Sequence, residues 1–289
     1  MAALEKHMVK LDHLAKVSGK AQYVADLSLP GLLTGRLLRS IKAKAVLREI
    51  KVPVLPQGYY IVDAHDVPGE NYVSMVDNRD TCIFADGKVE FIGEPILMVV
   101  GPEEKVVDQI IKSIVVDYQE EPGVFNALES DTVFYQFENN KGDTAKAFRE
   151  ADKIFTEKYY TGYQEHIYLE TQGMIAYYEG RVLVIRGSMQ CPYYLVNAVK
   201  TAMGITDNSQ VKVQFDYTGG AFGGKEDYPS VLACQTAVAT KKTGHPVRVV
   251  LERQEDIVST SKRHPAYMTY KTAIKNGRIT GMDIDLVYD

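Results

Sequence analysis

Hydrophobic and polar residues along the first part of the chain follow patterns typical of short strands and one amphipathic helix. Between residues 103 and 113, valine and isoleucine side chains fall on one helical stripe and charged side chains fall on the opposite stripe. Runs rich in Leu, Ile, Val and Tyr, bounded by Gly, Pro or Asp, predict strands at 32–38, 59–64 and 95–100. Residues 10–129 are therefore expected to form a first domain of mixed helices and strands.

The second part of the chain follows a polar, glycine-bearing stretch at residues 130–142, which predicts a linker. Asp143 can cap a short helix after it, because its side chain can accept hydrogen bonds from first-turn amides. Pro192 and Gly204 stand where a helix tolerates proline at its start and glycine at its end. We expect a second domain over residues 143–289 and an α+β fold for the chain. Further predicted elements are strands at 114–118, 154–161, 174–178, 181–186, 211–217 and 247–251, a helix at 229–242, and a hairpin of 267–274 and 279–288 about Asn276-Gly277.

Charge and hydropathy narrow the classes of partner. The net charge is −5 and basic residues are interleaved with acidic ones, so the sequence offers no basic stripe to nucleic acid. No apolar run approaches the roughly 20 residues of a membrane-spanning helix, and the N-terminus carries no apolar signal region. We therefore expect a cytoplasmic protein that binds neither nucleic acid nor a membrane.

Cysteine and histidine spacing predicts no metal site built from side chains alone. The three cysteines are far apart and odd in number, which is typical of reduced, buried thiols. No CxxC, HxxxH or HExxH pattern occurs among the cysteines and histidines.

The most informative segment is the glycine-rich loop at residues 218–227, placed between a predicted strand and a predicted helix. Four glycines this close expose backbone amides, which bind phosphates or oxyanions without help from side chains. A turn that needs glycine only for positive φ angles would give the same composition. Residues 219–225 also satisfy GxxxxGK, but Glu226 stands where a nucleotide-binding P-loop needs a Ser or Thr hydroxyl for magnesium.

Several ordered segments resemble one family. Residues 219–226 read GGAFGGKE and resemble the GGxFGGKE signature of the molybdopterin-binding subunit of xanthine dehydrogenases and aldehyde oxidases. Residues 164–171 resemble that family's QEHxYLET stretch, and residues 244–248 and 263–265 resemble its TGxPVR and GRHP stretches. Residues 17–26, 38–40 and 117–122 resemble the opening and closing segments of its α/β hammerhead domain. The resemblance implies a hammerhead domain followed by the first part of a molybdopterin-binding domain.

The resemblance also implies a cofactor site. Molybdenum is held by the pterin, with no protein side chain as a metal ligand, and the implied cofactor contacts are Gly220, Ala221, Phe222, Gly223 and Gln190. Glu226 matches the glutamate that contacts purine substrates.

For the neighbouring residues, a polar structural network is the preferred interpretation of His166 and Glu170, because buried polar groups are most often used in that way. Lys225 is interpreted as a solvent-facing side chain. The last predicted strand reaches Asp289 without turn residues, so the chain is expected to be a truncated piece, with the family's general base lying beyond Asp289. The fragment alone is therefore expected to be inactive.

The function implied is that of a molybdenum hydroxylase that oxidises a purine or related heteroaromatic ring. Its 2Fe-2S clusters and FAD would belong to partner subunits or segments, because this chain has neither cysteine clusters nor a dinucleotide fingerprint. A homo-oligomer of the full complex is expected. The alternatives are a docking module for iron-sulfur and flavin subunits that carries no catalysis, and a P-loop nucleotide-binding protein.

Overall fold

The computed structural model describes residues 10–73 and 81–289, and these residues group into two compact units. The first unit comprises the described part of Met1–Glu121 together with His166–Ser261, and the second comprises Pro122–Glu165 with Lys262–Asp289. Each unit is thus built from two separate stretches of the chain. The division of the chain into a first domain at 10–129, a linker at 130–142 and a second domain at 143–289 stays a prediction.

Helices and strands alternate irregularly along the described residues, as expected for an α+β fold. The strands are β1 (Leu33–Arg39), β2 (Ala45–Lys51), β3 (Tyr60–Val62), β4 (Tyr72–Val73), β5 (Thr81–Cys82), β6 (Lys88–Val89), β7 (Pro95–Gly101), β8 (Val115–Glu120), β9 (Lys153–Thr161), β10 (Gly173–Glu179), β11 (Val182–Gly187), β12 (Val211–Phe215), β13 (Val247–Val250), β14 (Ala266–Lys275) and β15 (Arg278–Tyr288). The helices are α1 (His13–Val17), α2 (Glu104–Ser113), α3 (Thr144–Arg149), α4 (Pro192–Met203), α5 (Tyr228–Thr243) and α6 (Arg253–Ser259).

A seven-stranded sheet in the order β12-β11-β10-β13-β1-β7-β3 is the centre of the first unit. Strand β1, from the first predicted domain, pairs in parallel with β13, from the second, at Leu33 and Val247. Strand β7 is buried along its whole length because both of its faces are covered. Val99 shares a core cluster with Ile110 of α2, whereas Met98 belongs to the cluster that contains α4 and α5. Smaller sheets, β6-β2-β8 and β4-β5, complete this unit.

Helix α5 lies in the interior and positions the glycine-rich loop that precedes it. Every residue from Tyr228 to Thr240 is buried, so this stretch of the helix has no solvent-exposed face. Two of its polar side chains donate to carbonyl groups inside the unit: Gln235 donates to the carbonyl of Ile83 at 2.8 Å, and Thr240 donates to the carbonyl of Ala176 at 3.0 Å. These bonds satisfy donors whose burial would otherwise be costly.

The second unit is built on the antiparallel sheet β15-β14-β9. Its hairpin turns at Asn276 and Gly277, whose φ angles of 51° and 72° give the left-handed pair that a type I′ turn requires. The predicted hairpin is therefore confirmed.

Most predicted boundaries lie within two residues of the observed ones, and helix α4 begins and ends where Pro192 and Gly204 predict. Strand β3 is shorter than its prediction of 59–64, and β12 ends at Phe215 rather than at residue 217. Elements β4, β5 and β6 were not predicted, because each is only two residues long. Elements α1, β2 and α6 were not predicted either, because their short apolar patterns are interrupted by charged residues. Among the described residues, no helix combines the length and hydropathy needed to cross a bilayer.

Removing the cap of helix α3 is expected to have a small, local effect. The Asp143 carboxylate accepts a hydrogen bond from the Lys146 amide at 2.8 Å, as the sequence predicts. Asp143→Ala should destabilise α3 by about 1 kcal/mol and speed amide hydrogen exchange in its first turn. Asp143→Asn keeps a capping oxygen and serves as the control. Equal exchange in the alanine variant and the wild type would contradict the capping role.

Candidate functional site

The glycine-rich loop connects β12 to α5 through three residues in the left-handed region. Gly220, Phe222 and Gly223 have φ angles of 103°, 55° and 91°. Glycine adopts such angles without strain, but a positive φ is uncommon for phenylalanine. The loop nevertheless holds Phe222 with its side chain 77% exposed. Surrounding contacts must therefore fix this conformation.

Gln190, three residues after the end of β11, is one such contact. Its side-chain Oε1 accepts hydrogen bonds from the amides of Gly223 at 3.1 Å and Lys225 at 3.2 Å. The backbone amide of Gln190 donates to the Lys225 carbonyl at 2.7 Å. Because the loop uses the carboxamide oxygen, the NH2 group is left to donate, and it lies 3.3 Å from Glu226 Oε1.

The middle of the loop presents open backbone donors. In the described part of the chain, the amides of Gly220, Ala221 and Phe222 donate to no acceptor. Successive amides in a loop with left-handed residues form a concave site suited to anionic or oxo groups. Five predicted cofactor contacts, Gly220, Ala221, Phe222, Gly223 and Gln190, therefore belong to one small region together with the exposed Glu226.

The prediction that Lys225 faces solvent is wrong, because its side chain is fully buried. The ammonium forms an ion pair with Glu170 Oε2 at 2.9 Å and also donates to Ser188 Oγ at 3.1 Å. It lies 4.9 Å from the centre of the Tyr168 ring. Burial lowers the pKa of Lys225, and the Glu170 carboxylate partly offsets that effect.

The burial of Lys225 also removes the basis of the P-loop interpretation. A P-loop lysine must reach the phosphates that its loop encloses. Here the ammonium points into the protein interior, towards Glu170, and the residue after it is the carboxylate of Glu226. The arrangement gives no support to nucleotide binding by this loop.

A second buried network lies beneath the loop and centres on Asp256. Tyr168 donates its hydroxyl to Asp256 Oδ1 at 2.8 Å, and the Gln172 amide donates to Oδ2 at 2.6 Å. The Gln172 side chain then donates to the carbonyl of Gly224 at 2.7 Å and to the Tyr168 hydroxyl at 2.9 Å. Burial, followed by the hydrogen bond to Asp256, raises the pKa of Tyr168, which keeps the phenol protonated as a donor.

Sequence reasoning missed Gln172 and Asp256. Gln172 directly follows the 164–171 stretch, which is the only sequence signal near it, and Asp256 lies in the unpredicted helix α6. Neither belongs to the glycine-rich motif. Only the packing of separate segments brings them beneath the loop.

The donor set at the loop is that of a site for an anionic, organic group. In residues 10–73 and 81–289, no group of three His, Cys, Asp or Glu side chains could hold a metal ion. The region instead offers three open amides and one oriented carboxamide NH2, which suit the oxygen atoms of an organic, anionic group. The individual roles predicted for these residues, and the base expected beyond Asp289, stay predictions.

Two protein families match the chain in sequence. The molybdopterin cofactor-binding domain matches residues 125–289. The aldehyde oxidase and xanthine dehydrogenase a/b hammerhead domain matches residues 18–122. Together they account for most of the chain, in the order that the sequence predicts.

Among curated relatives, the nicotinate dehydrogenase large molybdopterin subunit of Eubacterium barkeri is 30% identical and is matched over 99% of this chain and 70% of its own length. The xanthine dehydrogenase/oxidase of Felis catus is 33% identical over 95% of this chain, which spans 22% of that relative. The indole-3-acetaldehyde oxidase of Arabidopsis thaliana is 30% identical over 98% of this chain. The relatives thus differ in substrate class.

Two solved structures share the fold. The aldehyde oxidoreductase of Desulfovibrio gigas has a TM-score of 0.86 at 24% identity, over 96% of this chain and 34% of its own. The CO dehydrogenase of Oligotropha carboxidovorans has a TM-score of 0.84 at 24% identity, over 96% of this chain and 38% of its own. The chain belongs to the molybdenum hydroxylase family that includes xanthine dehydrogenases and aldehyde oxidases, and it carries that family's hammerhead and molybdopterin cofactor-binding domains.

Proposed function

We propose that this chain is the cofactor-holding part of a molybdenum hydroxylase that oxidises a purine or related heteroaromatic ring with oxygen derived from water. The observation that carries the substrate proposal is the Glu226 carboxylate, exposed at the end of the loop and 3.3 Å from the Gln190 side-chain nitrogen. The molybdopterin cofactor supplies two-electron redox chemistry when bound. The chain's own residues supply its hydrogen-bond donors and one substrate contact.

Binding of the cofactor would use donors that are already in place. The amides of Gly220, Ala221 and Phe222 and the Gln190 NH2 group would donate to oxygen atoms of the cofactor. Because two backbone amides hold the Gln190 oxygen, its NH2 group needs no reorientation on binding. Preorganised donors of this kind stabilise charge at low reorganisation cost.

Substrate selection would depend on Glu226. A carboxylate accepts hydrogen bonds, so it can bind a ring N–H of a purine or a similar heterocycle. An aldehyde carbon bears no such donor. A polar group placed for one hydrogen bond discriminates strongly against a ligand that lacks the partner, because the group is then left unpaired.

Replacing Glu226 by leucine should lower kcat/KM of the assembled, cofactor-loaded enzyme for a heteroaromatic substrate by about 10- to 100-fold. That range corresponds to the roughly 1.4–2.8 kcal/mol of one hydrogen bond to a charged group. The loss for an aldehyde should be much smaller. Xanthine and hypoxanthine, whose rings bear N–H groups, and a benzaldehyde, which bears none, are assayed in parallel.

The control is Glu103→Gln, which changes another exposed glutamate that lies before α2. Its rates should match those of the wild type. An equal loss for ring and aldehyde substrates in Glu226→Leu would contradict a specificity role for Glu226. So would an unchanged rate for every ring substrate.

We propose further that this enzyme is cytoplasmic, that its complex is a homo-oligomer, and that it passes electrons to 2Fe-2S and FAD groups on partner subunits or segments. Purification of the native complex, followed by metal, flavin and mass analysis, tests this. Molybdenum, iron and FAD in one complex would support the proposal. A complex with iron and FAD but without molybdenum would instead support a docking module.

A further inference from the structure

A single carboxylate oxygen joins the two ends of the glycine-rich loop. Glu170 Oε2 accepts a hydrogen bond from the Gly219 amide at 2.9 Å, and the same oxygen lies 2.9 Å from the Lys225 ammonium. The Glu170 amide also donates to the Gly219 carbonyl at 3.1 Å. The three open amides of the loop lie between these two attachment points.

The loop approaches Glu170 so closely that only glycine fits at its first end. A Cβ atom added at Gly219 would lie 2.5 Å from the Glu170 Cβ. At the second end, Lys225 is fully buried, and its ammonium makes further contacts with Ser188 Oγ at 3.1 Å and the Thr171 carbonyl at 3.4 Å. Both ends of the loop are therefore held by polar contacts, which are partly buried at Glu170 and Gly219 and enclose a fully buried Lys225 side chain.

Stability alone is a weak explanation for this ion pair. Burying two charges costs much of what their attraction returns, and well-packed apolar replacements of such pairs are often equally stable. The pair also leaves Glu170 Oε1 buried without a hydrogen-bond partner among the described residues. What the pair provides, and an apolar pair could not, is a fixed connection between Gly219 and Lys225.

We propose that Glu170 and Lys225 are positioning residues, whose buried ion pair sets the separation of the two loop ends and so holds the amides of Gly220, Ala221 and Phe222 in the arrangement that receives the cofactor. This inference rests on the proposed function of the loop. Neither residue contacts the cofactor; each acts through the backbone of the loop.

The test is a double-mutant cycle made of Glu170→Gln, Lys225→Met and the double variant. Each single change leaves one buried group unpaired, so each variant should be less stable than the wild type. In the double variant neither member of the pair is charged, and its melting temperature should recover most of the loss. Its loop should stay loose, because methionine cannot bridge to residue 170.

Two readouts separate positioning from stability. Amide hydrogen exchange in residues 219–225 is expected to be at least about tenfold faster in the double variant than in the wild type, even where their melting temperatures agree. Molybdenum per chain in the assembled complex should fall in the same variant. The matched control is the exposed pair Glu179 and Lys212, whose double variant Glu179→Gln/Lys212→Met should change neither readout.

The pH dependence of stability tests the charge on Lys225 directly. Burial lowers the pKa of Lys225, and Arg253 lowers it further, whereas the Glu170 carboxylate and, less strongly, Asp256 raise it. Glu170→Gln should therefore lower the pKa of Lys225 further. A buried lysine with a lowered pKa costs stability while it is protonated, and that cost is relieved as the pH rises through its folded-state pKa. The stability deficit of Glu170→Gln should thus shrink with rising pH.

Wild-type loop exchange and wild-type molybdenum content in the double variant would overturn the proposal and leave a merely structural ion pair. A deficit of Glu170→Gln that is constant with pH would also count against it. Hydrogen exchange needs no bound cofactor, so it tests the ion pair even if the proposed function fails. Failure of the proposed function would show separately, as a wild-type complex without molybdenum.

Discussion

Replacing Asp256 by alanine is expected to lower the free energy of unfolding of the first unit by roughly 2–6 kcal/mol, the sum for two buried donors that each cost about 1–3 kcal/mol when left unpaired. The donors are the Tyr168 hydroxyl, 2.8 Å from Asp256 Oδ1, and the Gln172 amide, 2.6 Å from Oδ2. Asp256 is fully buried, so water cannot readily replace either bond. Urea unfolding followed by tyrosine fluorescence measures the change.

Asp256→Asn is the matched control for this prediction. Asparagine keeps the shape of the side chain and one acceptor oxygen, so it should lose clearly less stability than alanine. The alanine variant should also loosen the glycine-rich loop, because Gln172 connects Asp256 to the Gly224 carbonyl. Equal stability of the alanine variant and the wild type would mean that this network contributes nothing to the fold.

Adding one methyl group at Gly224 should be nearly as damaging. A Cβ atom there would lie 2.6 Å from Tyr168 Cε1 and 2.8 Å from the His166 ring. The Tyr168 ring cannot move aside without breaking its bonds to Asp256 and Gln172. Gly224→Ala should therefore cost about 3 kcal/mol, the upper end of the usual range for overpacking a core.

The same substitution should also displace the loop and reduce molybdenum per chain in the assembled complex. Gly162→Ala is the control, since a Cβ atom there would meet nothing closer than 3.8 Å. Thermal unfolding and metal analysis are compared for both variants. A Gly224→Ala protein with wild-type stability and a full complement of molybdenum would show that the loop tolerates a different arrangement.

Local sequence rules predicted those parts of the fold that are decided by neighbouring residues. Pro192 and Gly204 delimit helix α4, Asp143 caps α3, and Asn276-Gly277 turns the last hairpin. Each of these signals acts within a few residues, because it depends on allowed φ angles or on first-turn amides. The glycine-rich motif likewise indicated which segment bears the donors.

Features that depend on contacts between residues distant in sequence were not predicted. Helix α5 is buried because β10 and β13 of the central sheet, α4 and β4 pack against it, and no periodicity in its sequence shows that. Lys225 was interpreted as solvent-facing because the sequence assigns it no role, and lysine side chains are mostly exposed. That partner, Glu170, is distant in sequence, and local patterns carry no information about it.

The sequence by itself determined the family, the α+β character and the loop that carries the open amides, because motif residues and local turn chemistry are properties of short segments. Tertiary structure alone decided the parallel pairing of β1 with β13, the hydrogen bonds that Gln190 accepts from the loop, and the buried contacts of Lys225 and Asp256. The reason is physical: the energy of a buried charge or hydrogen bond depends on which distant groups surround it after folding, and those groups are chosen by packing of the whole unit.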